Sequence, residues 1–132
     1  MKEHAWKIKT AVCFLALIMA AAVGHAKSWI SIGTQEITSF NAVREQCDAD
    51  PDNGAYGRVA KNGIPLGNYF ASNFLAPGTR ITIPALTGEN IWICRDRLNP
   101  KVWWRIDLLY PIGRTLGKRR TEVFVLNANN RD

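Results

Sequence analysis

Histidine is missing from this chain beyond position 25, and that narrows its chemistry before any motif is considered. Its two histidines, His4 and His25, both lie in the first 26 residues. The other 106 residues have no imidazole to serve as a general base or to ligate zinc, so histidine relays and zinc catalysis are set aside. No CxxC pair occurs, and no metal or other cofactor is expected. The run Asp48–Gly57, D-A-D-P-D-N-G-A-Y-G, is acidic, but it lacks the glutamate that a calcium loop places at its twelfth position; a solvated turn is the simpler reading. Long apolar stretches are also scarce. Beyond residues 10–24, no segment approaches the roughly 20 apolar residues that a membrane helix requires.

The first 26 residues read as an export signal. Lys2, Lys7 and Lys9 precede an uncharged run from Thr10 to Gly24, and small residues end it at Gly24-His25-Ala26, which predicts cleavage after Ala26. An uncleaved N-terminal anchor is the competing reading. Cys13 lies inside the apolar run with no plausible mature start after it, which argues against a lipoprotein. The expected product is exported, periplasmic or extracellular, with no stable membrane anchor.

Of 17 basic residues, three fall in the signal, and of 11 acidic ones, only Glu3 does. The remaining 106 residues therefore carry 14 and 10, a net charge of +4, which suits an anionic surface such as an acid-rich wall polymer. Nucleic acid would fit by charge alone, but no nucleic-acid motif is present and export argues against that partner. The length allows one domain with one modest core. Two cysteines remain, Cys47 and Cys94. Outside the cytoplasm such a widely spaced pair predicts a disulfide, with free thiols as the alternative.

Short extended segments separated by turns dominate. A first strand is predicted within Thr34–Val43. R-I-T-I (80–83) alternates as a half-buried strand does, I-W-I-C (91–94) and W-R-I-D-L-L (104–109) flank the Asn99-Pro100 turn, and T-E-V-F-V-L (121–126) closes the fold. Pro111–Gly117, with proline at its start and glycine at its end, predicts a short helix. The fold class is mainly β: a small barrel with one short helix. Segment 27–36 reads as an N-terminal extension, 37–126 as the barrel and 127–132 as a polar tail.

The stretch around that turn, C-R-D-R-L-N-P-K-V-W-W-R-I-D-L-L, carries two carboxylates, Asp96 and Asp107, with Arg95, Arg97 and Arg105 nearby. Paired acids are a starting point for acid–base chemistry and also a common brace for loops. The arginines would lower a neighbouring aspartate's pKa. Trp92, Trp103, Trp104 and Tyr110 offer aromatic planes for sugars, with Tyr56 and Tyr69 as weaker candidates for a groove wall. Strand alternation would put Trp103 and Trp104 on opposite faces, leaving one of them, assigned as Trp104, for substrate.

P-G-T-R-I-T-I-P, D-R-L-N-P-x-x-x-x-R-I-D-L and G-K-R-R-T-E-V-F-V-L together resemble the three-aspartate (3D) domain family. That family is a six-stranded double-psi β-barrel of bacterial wall-associated proteins. It is similar to the barrel domain of membrane-bound lytic transglycosylases and, more distantly, to rare-lipoprotein-A-type and expansin-like barrels. The likeness covers roughly Ile37 to Leu126. It implies action on peptidoglycan glycan strands, with Asp107 as general acid at the glycosidic oxygen and Asp96 as its neighbouring carboxylate. A structural carboxylate is the alternative for each. Arg97, Arg105, Asn73, Tyr56 and Trp104 are the implied substrate contacts. The family's first aspartate has no counterpart: Y-F-A-S-N-F (69–74) offers only Asn73 there. A non-catalytic wall-binding or structural barrel is therefore the second reading.

Overall fold

A computed structural model describes residues 28–44, 46, 47 and 50–127; the expected export signal and the end of the tail lie outside them. The elements are β1 (Trp29–Phe40), β2 (Asn53–Gly54), β3 (Gly57–Arg58), β4 (Ala60–Lys61), β5 (Ile64–Pro65), β6 (Tyr69–Ala71), β7 (Arg80–Thr82), α1 (Pro84–Thr87), β8 (Ile91–Asp96), a 3₁₀ turn (Pro100–Val102), β9 (Arg105–Leu109) and β10 (Arg119–Leu126). Six strands close in the order β1-β10-β7-β8-β6-β9. β1 runs parallel to β9 and β6 parallel to β8, while the other barrel pairs are antiparallel. This mixed order is compatible with a double-psi barrel. Closure leaves no barrel edge exposed to stray pairing.

β1 starts earlier than its side-chain pattern indicates, at Trp29, taking in most of segment 27–36. Its pairing with β10 slips between Ser31 and Thr34, where Gly33 takes φ +80°. A bulge of this kind favours glycine, because a side chain is strained at that φ.

Alternation then sorts the side chains. Ile37, Phe70, Ile81, Ile83, Trp92, Cys94, Ile106, Leu108 and Val123 fill the interior. Trp92 stacks on Tyr110 with centroids 6.1 Å apart, and its Nε1–H donates to Thr87 Oγ1, so this tryptophan is core and not a sugar platform. Outside the barrel, the two small hairpins β2–β3 and β4–β5 lie over a second cluster of Ala42, Val59, Ala60 and Leu109, packed with Phe40 and Tyr69.

Two expectations are corrected. The short helix is Pro84–Thr87, begun by proline and ended at Gly88, whereas 111–117 is a turn. Asn41 Nδ2 donates to the carbonyls of Tyr110, Pro111 and Arg114, and Leu116 N–H donates to Ser39 Oγ. These bonds take the groups a helix would use, and Gly113 at φ +86° leaves helical space. The Cys47–Cys94 disulfide is not formed. Cys94 is a core residue whose thiol points to the carbonyls of Leu75 and Asp96 at 3.7 Å, while the Cys47 thiol donates to Asn41 O at 3.3 Å. Burial pushes the Cys94 thiol up to about 11, so it stays protonated and unreactive at neutral pH.

Phe70 is fully buried at the centre of β6, between Cys94 and Leu108. Phe70→Ala is expected to cost about 3–5 kcal/mol in urea unfolding, a large part of the roughly 5–15 kcal/mol of a domain this size. A loss under ~1 kcal/mol would contradict this core.

Candidate functional site

Three strands bring the acidic residues together. On β9, Ile106 and Leu108 face the core, so Arg105, Asp107 and Leu109 face outward. On β1, Ile37 faces the core, so Glu36, Thr38 and Phe40 share that outer face. The parallel register matches them one for one: Glu36 with Arg105, Thr38 with Asp107, Phe40 with Leu109. On the other side of β9, Ala71 of β6 pairs with both Asp107 and Asp96. The two aspartates thus flank one small buried residue, their Cα atoms roughly 10 Å apart across two strand spacings.

Asp107 is half-buried, and Thr38 Oγ1–H donates to its Oδ1 at 2.8 Å. Burial raises its carboxyl above the ordinary aspartate value, the Thr38 bond and Arg105 oppose this, and the Asp96 charge adds to it. Asp96 has a bracing role as well. Its Oδ1 accepts from Ala55 N–H and Arg97 N–H, each at 2.8 Å, and Tyr56 N–H donates to Arg95 O. The β2–β3 turn presses on it so closely that a Cβ at Gly54 would meet Arg95 O at 2.5 Å. Tyr56 is exposed on this turn. Arg95 stacks over Tyr69, 4.5 Å from its centroid, and its Nη1 reaches the Tyr69 hydroxyl at 3.3 Å.

Asn73, one of the expected substrate contacts, ties the following loop. Its Oδ1 accepts from Leu98 N–H at 2.7 Å, and its Nδ2 donates to Asn99 O at 3.2 Å. Arg97 is exposed. A concavity of about 470 Å³ lies by Ala42, Arg44, Asp52, Asn62 and Ile112, away from Asp96 and Asp107.

The sequence reading missed Glu36, Thr38 and Lys118. Glu36 Oε2 accepts from Trp104 Nε1–H and faces Arg105 Nε at 3.5 Å, while Lys118 Nζ lies 3.2 Å from Oε1. The Trp104 bond, with Lys118 and Arg105, holds this carboxyl below the ordinary glutamate value against partial burial. Its contribution to stability is present above the ordinary glutamate range and fades as pH falls through its lowered value. Arg105, expected on an aspartate, is engaged by Glu36 and exerts only a residual pull on Asp107. The opposed placement of Trp103 and Trp104 is likewise corrected. Both precede β9, in the exit of the 3₁₀ turn, where strand alternation does not apply, and they are 61% and 43% exposed.

Because Asp107 holds its proton more tightly in the folded chain, its charged form costs stability. That cost is absent below the unfolded pKa and complete above the folded one. Asp107→Asn is expected to raise Tm near pH 7, with the gain shrinking as pH falls from the raised folded value toward the ordinary aspartate value and vanishing below it. A Tm lowered at pH 7 by this change would contradict the burial argument.

Compared with known proteins, the chain matches no family model, no curated protein and no solved structure, so its functional reading rests on its own residues.

Proposed function

We propose that this protein is an exported, peptidoglycan-active barrel of the three-aspartate type that cleaves the glycan strand as lytic transglycosylases do, with Asp107 as its acid. The observation that carries this reading is the half-buried Asp107 carboxyl, raised in pKa by burial, beside Asp96 and with Arg105 drawn to Glu36. An acid with these surroundings keeps a larger protonated fraction near neutral pH than a solvated aspartate. It donates that proton to the glycosidic oxygen, and the bond from that oxygen to the sugar's C1 breaks. The same sugar's C6 hydroxyl then closes on C1, and its proton returns to the Asp107 carboxylate. No water is consumed and the acid is regenerated. Hydrolysis would instead require a second carboxylate acting as base or nucleophile. Asp96 raises the Asp107 pKa through its charge and braces the β2–β3 turn, so its role is positioning.

A non-catalytic wall-binding barrel is the second reading, favoured by the use of Asn73 as a loop tie where the family has an acid. The two readings part in one assay. Protein incubated with purified peptidoglycan is expected to release anhydro-sugar products, and Asp107→Asn to lower that release by about 10²–10⁴-fold, the range of a general acid's contribution. Binding without product in the unmutated protein would leave the binding reading alone.

A further inference from the structure

Two tryptophans on a small exported barrel expose more indole than folding explains. Trp103 is 61% and Trp104 43% exposed, and their rings meet edge to face at 90° with centroids 6.2 Å apart. Trp104 does not hang loose. Its Nε1–H is bonded to Glu36, and that carboxylate is itself gripped by Arg105 and Lys118. The ring edge is thus fixed while ring surface stays in solvent. Glu36 lies on the outer face shared by Thr38 and Asp107, so its bond holds the Trp104 indole beside the strand that carries the acid.

We infer that Trp103 and Trp104, anchored through Glu36, form a two-walled aromatic corner that binds a pyranose ring of a glycan strand next to Asp107. This rests on the glycan-active reading above and adds a subsite to it. Size decides between a sugar and a protein partner. At roughly 150–250 Å² per large aromatic side chain, the exposed parts of both rings amount to only about 150–260 Å². A stable protein interface needs about 800 Å² per partner. The corner is also bordered by polar groups: Asn99 and Lys101 in the preceding turn, then Arg105 and Lys118 at the Glu36 clamp. An exposed apolar ring with polar groups near it complements a pyranose, with its C–H face and equatorial hydroxyls. Summed over Arg105, Lys118 and Glu36, the clamp carries one net positive charge, which suits a carboxylate-bearing sugar.

The test is co-sedimentation of the full chain with purified peptidoglycan, in an Asp107→Asn background so that no strand is cut. Trp103→Ala is expected to weaken binding by about 5–30-fold, the effect of removing one well-placed aromatic contact. Trp104→Phe keeps an aromatic face but loses the Nε1–H anchor, and a smaller loss is expected; as a conservative change it guards against misfolding. Unchanged binding in Trp103→Ala, or Trp103-dependent binding to anionic lipid vesicles in place of peptidoglycan, overturns the subsite. The two proposals fail separately. Trp103-dependent binding with no anhydro product from the unmutated protein supports the subsite and removes the catalytic reading. Product release with an unchanged KM in Trp103→Ala does the reverse.

Discussion

The parallel pairing of β1 with β9 both closes the barrel and composes the face on which the proposed chemistry takes place. Without it, the interior of Ile37, Ile106 and Leu108 would be open, and Asp107 would lie on an unpaired edge. With it, each outward residue of β9 receives a fixed neighbour from β1. Arg105 receives Glu36, and Asp107 receives the hydroxyl of Thr38. A slip of one residue would turn Ile37 outward and bury Glu36 in the core, so the register is held by the cost of burying a charge.

That register also separates two carboxylates that lie close together. Glu36 gathers an indole N–H and two cations and is held in its charged form. Asp107, on the same face, is given one hydroxyl and a half-buried setting, and burial prevails in favouring its protonated form. Carboxyls driven in opposite directions by their surroundings are a signature of divided acid–base duty. Glu36 anchors Trp104 and occupies Arg105, which leaves Asp107 freer to hold a proton.

Much of the barrel was legible in the chain. The I-W-I-C and R-I-D-L segments alternate, and the Asn99-Pro100 turn between them is set by proline. These features gave strands β8 and β9 and placed Asp107 on the second of them. The hidden part was non-local. Glu36 sits in a polar strand with no motif around it, and only its pairing across 69 residues gives it Arg105 and Trp104. Turn chemistry failed at Pro111–Gly117 because Asn41, some 70 positions away, takes the carbonyls that a helix would have used. The Cys47–Cys94 bridge failed for a geometric reason. Cys94 faces the barrel interior, whereas Cys47 lies in the connection after β1, with its thiol on Asn41 O. The tryptophan pair was misjudged because β9 begins at Arg105, one residue too late for strand alternation to govern Trp104.

The protonation of one side chain decides between a working acid and a brace. Following the Asp107 carboxyl carbon by NMR through a pH titration, assigned with Asp107→Asn, measures it. Burial of the carboxyl and the neighbouring Asp96 charge require a midpoint above the ordinary aspartate value of about 3.9. A midpoint at or below that value would mean that Thr38 and Arg105 outweigh burial, and Asp107 could then no longer be read as the proton donor.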